Sequence, residues 1–133
     1  MSIVSFGDTA LRFSTREGER FETARDVALH VDGMSSNAAA IASRLGADAC
    51  WLSKIADTPL GRRAVAELNE HGLETAVTWT DADSGRQGLK FHERGTPPRE
   101  SRLLQDRADT AMATVSAGDL PMGRIQEADA VFT

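Results

Sequence analysis

The sequence has no tyrosine and a single cysteine, and lysine is almost missing, with 2 Lys against 13 Arg. Each scarcity removes a class of chemistry. Cys50 stands alone inside the apolar run at 49–52, which excludes an internal disulfide and a Cys-based zinc site and reads as a buried strand residue. His30, His71 and His92 lack metal-binding spacing, so no metal is assigned; His71 beside Gly72 reads as a helix-end residue. No apolar run approaches the roughly 20 residues that a membrane span needs. The N-terminus also lacks the charged-then-apolar layout of a signal peptide, so a cytoplasmic protein without membrane contact is expected. A net charge of −5 and a pI near 5.1 argue against a nucleic-acid partner. The Arg-over-Lys bias beside 20 acidic residues fits a salt-rich cytoplasm.

What is present is organised around residues 31–46, Val-Asp-Gly-Met-Ser-Ser-Asn-Ala-Ala-Ala-Ile-Ala-Ser-Arg-Leu-Gly. An extended apolar segment meets a tight turn and then an Ala-rich helix. Gly33 lets backbone approach a ligand closely, Ser35 or Ser36 can cap the first helical turn, and Asn37 lies one turn in with both a donor and an acceptor. Met34, Ala38, Ile41, Ala42 and Leu45 share one helical face, expected to pack on a sheet, and Gly46 ends the helix. A helix start aimed out of a sheet is where polar small molecules bind.

The rest of the chain alternates short strands and helices. Residues 3–6 form an apolar strand stopped by Gly7, which places Asp8 at the strand's C-terminal end, where open α/β sheets bind ligands. Leu11 and Phe13 alternate with Arg12 and Ser14, and Leu29 and Val31 resume the period of two. Residues 49–55 form a further strand, and the βαβ order implies a parallel pair with a right-handed crossover. Asp57 or Thr58 caps a second helix that starts at Pro59, carries Leu60, Ala64, Val65 and Leu68 on one face, and stops at Gly72. Residues 75–80 and 88–93 are strands, and 99–105 returns as the second arm of a hairpin. Residues 116–124 are a capped helical segment broken by Pro121, and 128–133 begin another strand. With 41% hydrophobic residues over 133, one modest core and one domain are expected.

The 31–46 stretch resembles the N-terminal signature of the ribokinase-like (PfkB) carbohydrate kinases, a Gly-Gly pair followed by small residues, an Asn, an Ala-rich helix and Leu-Gly. Ala56-Asp57-Thr58-Pro59-Leu60-Gly61-Arg62 resembles that family's next conserved stretch, at the family's spacing. The resemblance runs from Val4 to the end of the chain and is nearest to sugar-acid kinases of the 2-keto-3-deoxygluconate type. It implies an α/β fold, a Rossmann-like sheet flanked by helices with a small β-sheet lid built from about 9–31 and 86–105, of which this chain is the N-terminal part. Three positions depart from the pattern. Asp32 replaces the first Gly of the pair, Arg12 stands where some members have a hydroxyl-binding Asp, and Lys90 stands where the sugar-acid kinases usually have a stacking Tyr. Arg107 lies within a residue of the Arg or Lys that meets the substrate carboxylate, a task for which a planar guanidinium fork is suited.

The substrate-binding set implied is therefore Asp8, Arg12, Asp32, Gly33, Asn37, Lys90 and Arg107, with Asp32 on a substrate hydroxyl or a nearby backbone N–H. No catalytic residue is assigned. In the family the catalytic Asp and the nucleotide loop lie in a C-terminal Gly-rich segment, and neither that segment nor a GxxxxGK[ST] occurs here; Ala117-Gly118-Asp119 is only a superficial match. ATP and Mg²⁺ are expected for a complete kinase and neither for this chain alone. The expected function is the substrate-and-lid part of an ATP-dependent sugar or sugar-acid kinase, inactive by itself and dimeric through the lid. The alternative is a non-catalytic sugar-binding or dimerisation module. A dinucleotide-dependent oxidoreductase is disfavoured, because no GxGxxG follows the first strand.

Overall fold

The structure, a computed structural model, describes residues 1–133. Two four-stranded sheets organise the chain. The first is parallel and holds β1 (Ser2–Phe6), β4 (Asp48–Ala56), β5 (Glu74–Thr80) and β8 (Ala130–Phe132), in the order β5-β4-β1-β8. The second holds β2 (Ala10–Ser14), β3 (Ala28–Asp32), β6 (Gly88–Glu93) and β7 (Arg102–Asp106), in the order β3-β2-β6-β7. β2 runs antiparallel to β3 and β6 antiparallel to β7, whereas the central β2–β6 pair is parallel.

β4 shows why the parallel sheet forms. Nearly all of its nine residues are buried, as expected of a strand covered on both faces. Its alternate residues Ala49, Trp51 and Ile55 face one cluster with Ala39, Leu68 and Leu73, under helices α1 (Met34–Arg44) and α2 (Pro59–Glu70). The intervening Cys50 and Leu52 join Val4 on the opposite face, beneath Leu120, Ile125 and Ala128 around the short helix α3 (Met122–Glu127). The strand preceding α1 is β3, in the other sheet, so the parallel neighbours of β4 are β1 and β5, and the expected βαβ unit around α1 is not a local one. Neither long helix is long and apolar enough to cross a membrane.

Helix α1 packs on a different face from the one its apolar periodicity predicts. Met34, Ile41 and Leu45 are 71%, 60% and 83% exposed, while Ser35, Ser36 and Ala39 are buried. Polar contacts set this rotation. Ser5 Oγ donates to the Ser35 carbonyl at 2.8 Å, the Trp51 indole N–H donates to Ser35 Oγ at 3.2 Å, and the Thr9 and Ser36 hydroxyls meet at 3.0 Å. Each of these buried groups, left unpartnered, would cost about 1–3 kcal/mol. Neither serine caps the helix: the N-cap is Gly33, with no side-chain cap, and Ser36 Oγ donates to the Gly33 carbonyl. Gly33 has no room for a side chain, since a Cβ there would lie 2.6 Å from the Asp8 carbonyl oxygen and 2.8 Å from Thr9 Cα.

Helix α2 begins as its sequence predicts. Thr58 Oγ1 accepts from Gly61 N at 3.1 Å and Pro59 is the first helical residue. Its buried positions are Gly61, Ala64 and Leu68, with Leu60 turned outward.

The second sheet has one apolar and one polar face. Leu11, Val31 and Leu89 stand opposite one another, followed by Phe13, Leu29 and Phe91, with Leu104 opposite Phe91. Phe13 stacks on Phe91 at 5.6 Å, and Phe21 meets Phe91 edge-on at 6.2 Å. The other face carries Asp32, Arg12, Lys90 and Gln105, with His30 and His92. Leu103 pairs with His92 and so lies on the polar side.

Candidate functional site

An open cleft of about 350 Å³ lies where the C-terminal end of β1 meets the polar face of the second sheet. Its walls include Asp8 from the turn after β1, Asp32 and Gly33 from the junction of β3 with α1, Lys90 on β6, and Gln105 and Arg107 at the end of β7. This volume lies in the range of small-molecule sites, and the position beyond the carboxyl end of a parallel strand is the usual one in an open α/β sheet.

The charges in the cleft form two groups. In the first, Asp32 Oδ2 lies 3.3 Å from Arg12 Nη1 and 3.3 Å from Lys90 Nζ, and the same ammonium donates to the Asp32 carbonyl at 3.1 Å. Asp32 Oδ1 has only the Asn37 amide, at 3.5 Å. In the second, the Arg107 guanidinium approaches Asp8 Oδ2 through Nε at 3.7 Å. Burial pushes the Asp8 carboxyl above its ordinary value of 3.8, and Arg107, the Thr9 amide and Lys90 only partly offset the rise. Arg107 is 60% exposed, which leaves its terminal nitrogens open to a ligand.

Of the seven residues singled out from the sequence, Asp8, Asp32, Gly33, Lys90 and Arg107 meet at the cleft. Arg12 and Asn37 flank it, touching Asp32 from the neighbouring strand β2 and from the start of α1. Asp32 is held by two cations, Arg12 and Lys90, neither of them named from the sequence as its partner. Gln105 was missed. Its signal was the hairpin register, which sets it opposite Lys90. Met34 was assigned to the core and instead lines the cleft.

The Gly118–Asp119 pair is a local device. Asp119 Oδ2 accepts from the backbone N and the hydroxyl of Ser116, both at 2.8 Å, and pairs with Lys54 at 3.3 Å. Cys50 is buried and receives a hydrogen bond from Arg124 at 3.3 Å.

Known proteins resemble this chain in sequence and in fold. A 2-dehydro-3-deoxygalactonokinase of Haloferax volcanii is 45% identical over 131 residues, covering 98% of this chain and 41% of that protein. A 2-dehydro-3-deoxygluconokinase of Thermoproteus tenax is 31% identical over 106 residues, 78% of this chain and 32% of that protein. The crystal structure of a 2-dehydro-3-deoxygluconokinase from Thermotoga maritima superposes with a TM-score of 0.88 at 28% identity, over 96% of this chain and 39% of that one. The chain thus spans about two fifths of the length of two of these relatives and a third of the other. The pattern described as pfkB family carbohydrate kinase matches residues 1–132, on a ribokinase-like α/β core, and the chain belongs to that family.

Proposed function

We propose that these 133 residues, folded as one domain, are the substrate-binding part of an ATP-dependent kinase for a sugar or sugar acid, with the second sheet acting as a lid over the ligand. The observation that carries this reading is the cleft itself, where the polar face of the second sheet brings Asp32 and Lys90 opposite Asp8 and Arg107. A polyhydroxylated anion matches such a wall: hydroxyls suit carboxylate acceptors and the ammonium, and a carboxylate suits the open guanidinium of Arg107. The relatives named for 2-dehydro-3-deoxy sugar acids support that substrate class.

Phosphoryl transfer further requires a base, an anion hole and a nucleotide with Mg²⁺. The acids of the cleft are not gathered for a metal: Asp8 stands by Arg107 and Asp32 between two cations. We assign ATP, Mg²⁺ and the catalytic residues to the further length that the relatives carry. A cytoplasmic, two-fold homodimer belongs to the same proposal. Its support is the outer apolar face at Phe21, Phe91 and Leu104, which borders an apolar hollow of about 360 Å³.

A coupled phosphorylation assay, run beside calorimetric binding, tests the reading. The chain alone is expected to bind 2-dehydro-3-deoxygalactonate or 2-dehydro-3-deoxygluconate without turnover, whereas a full-length kinase containing it phosphorylates the bound acid. Turnover by the pure chain, abolished by a substitution within it, would overturn the division of labour. Binding without turnover in both would favour a non-catalytic sugar-binding module.

A further inference from the structure

Arg12 lies next to the cleft without lining it. Its only hydrogen bond runs from Nη1 to Asp32 Oδ2, and its Nε is buried without a partner. From the cleft side Lys90 reaches the same Oδ2, so that oxygen has two cationic neighbours while Oδ1 has only the distant Asn37 amide. One carboxylate is thus clamped with one oxygen saturated and the other open, on a wall that the ligand meets.

We infer that Arg12 is a positioning residue: it acts through Asp32, which it fixes as the acceptor for a ligand hydroxyl. The inference rests on the reading of the cleft as a sugar-acid site, and it resolves a conflict within that reading. A bare carboxylate on the wall would repel an anionic ligand, and a bare cation there could not accept a hydroxyl proton. With Arg12 and Lys90 beside it on the same sheet face, Asp32 belongs to a cluster of net charge +1, and its open Oδ1 still accepts a hydrogen bond. The ligand's alcohol end then lies toward Asp32 and Lys90, whose third N–H is unused, and its carboxylate toward Arg107.

Two six-carbon 2-oxo acids separate this role from a structural one. 2-Dehydro-3-deoxygalactonate carries hydroxyls and 2-oxohexanoate carries none, and calorimetry with the chain measures both. Arg12→Ala and Asp32→Ala are each expected to weaken the hydroxylated acid about tenfold or more, the double variant no further than Asp32→Ala alone, and each to change binding of 2-oxohexanoate far less, by the altered wall charge only. Arg12→Lys restores part of the loss. Arg12→Lys and Asp32→Asn give the same comparison where an alanine variant unfolds, judged by circular dichroism. Equal losses on both acids, or additive losses in the double variant, would overturn the positioning role while the sugar-acid reading stands. If the unaltered chain binds neither acid, that reading fails and this inference with it.

Discussion

Trp51 donates its indole N–H to Ser35 Oγ at 3.2 Å, and the same hydroxyl lies 3.4 Å from the Asp8 carbonyl oxygen. The largest fully buried side chain of the core is therefore two hydrogen bonds from the peptide that carries the cleft's most buried acid. Trp51→Phe keeps most of the packing and removes the donor. It is expected to destabilise the fold by about 1–3 kcal/mol, read from the urea midpoint. Ser35→Ala removes the acceptor, and the pair should couple in a double-mutant cycle; simple additivity would show that the contact is weak in solution.

Gly33→Ala should be more damaging than its single methyl implies. The added carbon meets backbone at Asp8 and Thr9, which a rotamer change cannot relieve. A loss of about 1–3 kcal/mol, with weakened binding of the same sugar acids, is the expected outcome in denaturant titration and calorimetry. Unchanged stability would mean that the β3–α1 junction is loose.

Two carboxyls should shift the acid limb of stability in opposite directions. Asp8 is raised from 3.8, chiefly by burial, so the folded chain holds this proton where the unfolded chain has released it, and stability falls as pH rises from 3.8 through the folded value. Asp8→Asn should therefore gain stability near neutral pH, and the gain should vanish below 3.8. Asp119 is lowered, first by the Ser116 hydroxyl and then by the Ser116 amide, so its contribution is present above 3.8 and is lost as pH falls through its folded value. Asp119→Ala should cost stability at neutral pH and nothing in strong acid. Urea midpoints at stepped pH read both slopes, and slopes of the same sign would refute the assignment.

Assembly through the second sheet makes a residue-level prediction. Phe91→Glu and Leu104→Asp place charge on the apolar face, whereas Leu103→Asp places it on the polar one. Light scattering across a dilution series should find the first two monomeric and the third unchanged from the parent dimer. A dimer indifferent to all three would move the interface elsewhere, and a monomeric parent would refute assembly.

Helices α2 and α1 show what could be read from the chain. Thr58 and Pro59 mark a helix start by local chemistry, and α2 begins there. The rotation of α1 could not be read, because it depends on Ser5, Thr9 and Trp51, which meet Ser35 and Ser36 only after the sheet has formed. The site divides in the same way. Turn positions brought Asp8 and Gly33 to notice, the family resemblance brought Asp32, Lys90 and Arg107, and register supplies the rest. Gln105 faces the cleft because it pairs with Lys90, and Leu104 rather than Leu103 is apolar-side because the hairpin register puts it there. Arg12's place beside Asp32 likewise follows from the β2–β3 pairing, which no spacing along the chain reports.

The parallel joint between β2 and β6 has a kinetic consequence. Ala10 pairs with Gly88 and Ser14 with His92, so the second sheet is closed by strands separated by β3, α1, β4, α2 and β5. It is two hairpins with β4, β5 and both long helices of the core threaded between them, and that part of the core must first bring the hairpins within reach of each other. Neither hairpin carries the complete wall, since Asp32 rides on one and Lys90 on the other. During refolding, the Asp32–Lys90 contact is thus a late event, and a fluorophore pair across it should report closure after the Trp51 core has formed.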